Sequence, residues 1–185
     1  MTIAIVVGHN ARAQGAVSVD GTSEFVWNSD LAEMIRDHDP AGVRIFQRRR
    51  GGGYSAEIDR VYAEVADWQA AVSIELHFNG SASASASGVL TLSSGFAGSM
   101  NLAEEVHRRC VAVMERRDRG IEVRTRHQRG GRSLWQGKAP ASMTEPFFGS
   151  NPEDWRRANA RKEYLAEAIF RGACAHIAAQ QRLAA

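Results

Sequence analysis

The sequence predicts an α/β fold, a mostly parallel sheet flanked by helices on both faces. Three observations predict it. Short β-branched apolar runs alternate with amphipathic stretches of helical length along the chain. The first such run is apolar throughout, as strands covered on both faces are. No internal repeat and no long linker interrupts the alternation, so residues 1–185 read as a single domain.

Taken in order, residues 2–7 (Thr-Ile-Ala-Ile-Val-Val) form a buried strand at the N-terminus. Gly8-His9-Asn10 cuts the run short, and without a basic flank it is not a signal peptide. Residues 8–22, rich in Gly, Ala, Ser and Asp, form a loop. A helix capped by Thr22 or Ser23 runs to about Arg36, with Glu24, Asn28, Leu31 and Ile35 as its inward stripe. Pro40 and Gly42 break the chain before a strand at Val43–Phe46. Arg48–Gly53 is a basic, glycine-rich turn, followed by a helix from about Tyr54 to Trp68 and a strand at Ala71–Leu76. The Ser-Ala alternation at 81–87 is a low-complexity loop, and Gly88–Leu92 a fourth strand. Residues 98–116 form an amphipathic helix with Leu102, Val106, Cys110 and Val113 on one face. A basic loop spans 116–138, and Ala141–Thr144 is a last strand. Asn151-Pro152-Glu153-Asp154 starts the final helix, with an Asn cap, Pro in the first turn and acids at the positive dipole end. That helix reaches about Leu183.

Composition narrows the classes. Two cysteines exclude a disulfide scaffold, and no apolar run approaches the ~20 residues of a membrane span. The net charge of +2 hides an uneven distribution. Residues 116–138 carry seven Arg and one Lys against Asp118 and Glu122, a net +6 that leaves the rest at −4. The segment is either a solvated loop or a wall that attracts anionic substrate, and its place before the last strand favours the wall.

Open α/β sheets gather ligands outside the C-terminal ends of their strands. His9 follows the first strand, His77 ends the third, Glu145 ends the last, and Glu24 opens the first helix. Two histidines and two carboxylates thus converge on one sheet edge. Two His and one carboxylate with an open position form a catalytic zinc set, and the remaining acid can move protons. Taken singly, each residue has an ordinary reading, a hydrogen-bonded strand-end histidine or a helix-capping acid. Cys110, Cys174 and His176 fall on apolar stripes and read as buried structural residues, and His38 and His107 read as surface residues. Trp135, Phe147 and Phe148 either pack in the core or meet a sugar or peptide.

Several segments resemble a known family. Val7-Gly8-His9-Asn10, Gln14-Gly15-Ala16 and Ser23-Glu24-Phe25-Val26-Trp27-Asn28 are similar to the start of zinc-dependent N-acetylmuramoyl-L-alanine amidases of the amidase type 3 family. Glu75-Leu76-His77-Phe78-Asn79-Gly80 resembles that family's second histidine motif, Arg119-Gly120-Ile121 its Arg-Gly step, and Glu145-Pro146-Phe147-Phe148-Gly149-Ser150-Asn151-Pro152 its final motif. The resemblance implies that His9, Glu24 and His77 bind Zn2+ and that Glu145 is the catalytic acid/base. It implies as substrate the amide between N-acetylmuramic acid and L-alanine of the peptidoglycan stem peptide. Two features depart from the family: the stretch Arg48–Asp59 is short, and Glu75 stands where members often carry Ser. Residues two apart on a strand share a face, so Glu75 either supports a ligand histidine or is a solvated strand-end acid. Asn79, Arg119 and His127 are further candidates for contact with ligands or substrate.

Three rivals stand beside this reading: a nucleic-acid-binding module, suggested by the arginines but without a known motif; a wall-binding protein that does not cleave; and a metal hydrolase of another amide. Peptidoglycan is the expected partner, with neither nucleic acid nor membrane insertion. With a ligand already at His9 and no leader before it, the expectation is synthesis in the cytoplasm and action on the cell wall after release, as in phage-type or prophage-type lysis.

Overall fold

The computed structural model describes residues 1–184. Its elements are β1 (Ile3–Val7), α1 (Glu24–Asp37), β2 (Val43–Gln47), α2 (Gly53–Asp67), β3 (Val72–Leu76), β4 (Val89–Ser93), α3 (Ala97–Met114), β5 (Asp118–Val123), α4 (Gly131–Gln136), β6 (Ala141–Glu145), α5 (Pro152–Ala160) and α6 (Lys162–Ala184). The strands form one sheet in the order β2-β1-β3-β6-β4-β5. Strands β1, β2, β3 and β6 run parallel; β4 is antiparallel to β6 and parallel to β5. The expected α/β class and mostly parallel sheet are therefore observed.

Side-chain alternation divides the core into two layers. Ile3, Ile5 and Val7 pack with Leu31, Leu102, Val106 and Leu165 beneath α1, α3 and α6. On the other face Ala4 and Val6 pack with Ile58, Val61 and Val65 of α2, and Leu92 and Met143 with Leu134 of α4. Every residue of β1 and β3 is buried. These central strands therefore form a rigid base for the residues just beyond their ends. Among the described residues, no helix is long and apolar enough to cross a membrane.

Several sequence expectations need correction. The basic stretch 116–138 is not all loop, since it contains β5 and α4. β5 lacks an apolar pattern because it is an edge strand with Asp118, Glu122 and Val123 exposed, and charge on an edge discourages further pairing. The final helix is broken at Arg161, whose backbone leaves the helical region (φ −121°, ψ 19°). Its guanidinium bonds Val113 O and pairs with Glu115 at the end of α3, so that α6 then packs along α3 and α1. Met114, not Val113, completes the buried stripe of α3. His107 is buried rather than on the surface: its ring lies 3.0 Å from Thr91 Oγ1 and 2.8 Å from Asp118 Oδ1, joining α3 to β4 and β5. Cys174 is half-buried, while Cys110 is fully buried and its thiol is pushed up to about 12 by burial.

Candidate metal centre

β1 ends against β3 in parallel register, Val7 beside Leu76, and Gly8 N donates to Leu76 O. His9 and His77 thus emerge side by side, their rings edge to face with centroids 5.0 Å apart. Gly8 is required there, because a Cβ would lie 2.4 Å from His77 Cε1. His9 holds a left-handed backbone (φ 68°), a conformation that costs about 1–2 kcal/mol for a residue with a side chain. Arg48, buried at the end of β2, donates from Nε to the His9 carbonyl at 3.0 Å and holds that turn.

Glu24 opens α1, whose cap is the Ser23 hydroxyl, and the loop 8–22 folds its carboxylate back onto the histidines. Oε2 lies 3.0 Å from His9 Nε2 and accepts from Ala16 N; Oε1 lies 2.6 Å from His77 Nδ1 and accepts from Phe78 N. Gly15 (φ 82°) passes so close that a Cβ would lie 2.5 Å from Glu24 Oε2. Donor atoms of His9, Glu24 and His77 fall within 4.8 Å of one another.

The electrostatics agree with this packing. Burial alone would raise the Glu24 carboxyl, but bonds from His77 and His9 outweigh it and hold it below the usual carboxylate range. Burial alone would lower His77, but Glu24 and Glu75 push it up to about 10. Glu75 is itself buried, yet His77 and then Arg48 hold it down at about 2. The pocket therefore attracts positive charge. With two imidazole nitrogens and a carboxylate oxygen close enough to share one ion, the donor set fits a divalent transition metal such as zinc.

Glu145 ends β6, directly beside this cluster: His77 N donates to Thr144 O at 3.0 Å. Glu145 is half-buried, stands outside the three-residue donor group and lines the same cleft. The cleft encloses about 1410 Å³, above the roughly 300–1,000 Å³ of a small-ligand pocket. Asn79 and Arg119 line it too. Each has a buried nitrogen without a hydrogen-bond partner among the described residues, and the Arg119 guanidinium lies 4.9 Å from the centre of the Phe148 ring. Glu75 is buried behind His77. His127 is exposed and outside the cleft lining. Of the aromatic candidates, Phe147 lies in a core cluster with Trp27, Phe78 and Trp155, and Trp135 is half-buried, its indole donating to Arg124 O.

Sequence reasoning missed Arg48 and Tyr62 as supports of the site. In the sequence Arg48 stands only within a basic turn, and Tyr62 only within the helix expected from about Tyr54 to Trp68.

A family model described as N-acetylmuramoyl-L-alanine amidase matches residues 3–175. A search of curated proteins by sequence finds no match. Among solved structures, the catalytic domain of CwlV, an N-acetylmuramoyl-L-alanine amidase from Bacillus (Paenibacillus) polymyxa var. colistinus, superposes with a TM-score of 0.80 at 20% identity, covering 96% of this chain and 98% of that one. The catalytic domain of the CD27L endolysin, which targets Clostridia difficile, gives 0.78 at 24% identity, covering 93% and 96%. Ami1 of Mycobacterium smegmatis gives 0.76 at 18%, covering 96% and 97%. At these identities the likeness is one of fold.

Proposed function

The chain belongs to the N-acetylmuramoyl-L-alanine amidase family of peptidoglycan hydrolases, and from that premise we propose a zinc-dependent cleavage of the amide joining the lactyl group of N-acetylmuramic acid to L-alanine. The observation that carries the proposal is the convergence of His9, Glu24 and His77 beside Glu145 in one open cleft. His9, Glu24 and His77 would hold the ion. Bound there, zinc supplies Lewis acidity that polarises a carbonyl and makes water a stronger acid. Glu145, close to the donors but free of them, takes the proton of the attacking water on a carboxylate oxygen. It then delivers that proton to the departing alanine nitrogen. The water oxygen stays on the lactyl carbonyl, so one water is consumed and no covalent enzyme intermediate forms. Asn79 and Arg119 offer unpartnered donors to orient the substrate.

Mass spectrometry of digested peptidoglycan tests this reading. Zinc-loaded protein should release stem peptides with a new L-alanine amine and leave a free lactyl carboxylate on the glycan. Chelator should stop the release, and Glu145→Gln should keep zinc bound while abolishing turnover. Wild-type release by that variant would remove Glu145 from its role.

Lysis from within is part of the same proposal, supported by the fold shared with an endolysin catalytic domain. Cells producing the protein should stay turbid until their membrane is permeabilised and then clear. Cultures that stay turbid afterwards would count against a lytic role.

A further inference from the structure

Glu75 is a buried carboxylate bonded to one of the clustered histidines, and its surroundings indicate what it does there. Glu75 stands two residues before His77, and its side chain leaves β3 on the face covered by α2. Its register partners are Val6 and Met143, which belong to two separate apolar clusters on that face. A carboxylate here sits between two small cores with 1% of its surface exposed. An ion so buried is costly unless its oxygens are bonded. Both are bonded: Oε1 lies 3.0 Å from His77 Nε2, and Oε2 accepts from the Tyr62 hydroxyl at 2.9 Å. Tyr62 comes from α2 and is itself buried. The chain from Tyr62 through Glu75 ends on the far nitrogen of His77, whose near nitrogen, Nδ1, faces Glu24.

We infer that Tyr62 and Glu75 are positioning residues that fix the tautomer and ring orientation of His77 and so tighten metal binding at the site. This rests on the reading of His77 as a metal ligand. Because Glu75 accepts the Nε2 proton, the lone pair of His77 is confined to Nδ1, the atom turned toward His9 and Glu24. The carboxylate also makes the imidazole a stronger donor, and Tyr62 prevents the carboxylate from swinging away. A merely solvated strand-end acid would do neither.

The test is zinc affinity, measured on purified protein by competition with a chromophoric chelator, alongside circular dichroism and melting of the metal-free form. Glu75→Gln keeps shape and packing, and should weaken zinc binding by about 10–100-fold, the range seen when such outer partners are lost. Tyr62→Phe should weaken it less, and in the same direction. The Co2+-substituted Glu75→Gln variant should also show a shifted visible spectrum, which a purely structural role would leave unmoved. His77→Ala separates the two levels of the argument. If His77→Ala binds zinc as the wild type does, the metal-site reading fails. If it loses zinc while a folded Glu75→Gln variant keeps wild-type affinity and spectrum, this inference alone is overturned. Should Glu75→Gln not fold, Tyr62→Phe decides on the same measurements.

Discussion

His77 lies between two carboxylates, Glu24 and Glu75, and its ionisation sets a pH dependence. In the metal-free protein, burial favours the neutral ring, but Glu24 and Glu75 outweigh it and raise the pKa to about 10. The ring therefore holds both protons at neutral pH, one on Nδ1 toward Glu24 and one on Nε2 toward Glu75. A metal needs a nitrogen lone pair, so binding must expel a proton that an ordinary histidine, with a pKa near 6.5, would already have lost at pH 8. The sign follows: zinc affinity should rise steadily from pH 6 to pH 9, with proton release on binding throughout. Calorimetry in two buffers of different ionisation heat measures that release. An affinity that levels off above pH 7 would show that His77 is already neutral.

At the scale of elements, one buried carboxylate ties the final motif together. Asp154 is the third helical residue of α5, after the Asn151 cap, and is fully buried. Oδ2 accepts from Gly88 N and Phe148 N, and Oδ1 from the Ser87 hydroxyl and Arg116 Nε. It thus joins α5 to the start of β4 and to the turn that follows Glu145. Removing one partner of a buried pair costs roughly 3–5 kcal/mol, because the other charge is left uncompensated. Asp154→Ala should lower stability by about that amount in urea unfolding, while the folded fraction keeps its zinc. A loss below about 1 kcal/mol would mean that water replaces the carboxylate. The Asn151-Pro152 start of this helix was legible in the sequence because capping is local. The break at Arg161 was not, since it depends on Val113 and Glu115, more than forty residues away in the chain. The same division runs through the site. His9, His77 and Glu145 were legible as strand-end residues, and β1 as an apolar run. Glu24 became a candidate only with the others, because its carboxylate reaches the histidines through the folded loop 8–22. β5 and His107 were misread because an edge strand and a hydrogen-bonded buried histidine carry no apolar periodicity.

Across the whole molecule, the net charge of +2 is a poor guide to what a substrate meets. Within the +6 segment, Arg116, Arg124 and Arg132 are paired with Asp154, Glu122 and Asp59. Arg129 is exposed, lines the cleft and makes no side-chain hydrogen bond or ion pair among the described residues. The same holds for Arg12 and Arg50, which reach the cleft from the loops after β1 and β2. Arginine from both halves of the chain therefore rims the entrance, above the carboxylates that would hold the ion. Exposed charges act over about 10 Å at 0.1 M salt and over less as salt rises, so they contribute to encounter more than to the chemical step. Peptidoglycan with free stem-peptide carboxylates is an anionic polymer of the kind such a rim attracts. Raising salt from about 0.05 to 0.5 M should lower kcat/KM several-fold on that substrate and leave kcat nearly unchanged. The triple variant Arg12→Gln, Arg50→Gln, Arg129→Gln should begin at the lower value and show little salt dependence. If the triple variant kept the full salt response, the attraction would have to come from elsewhere on the surface, and the rim would be ordinary solvated charge.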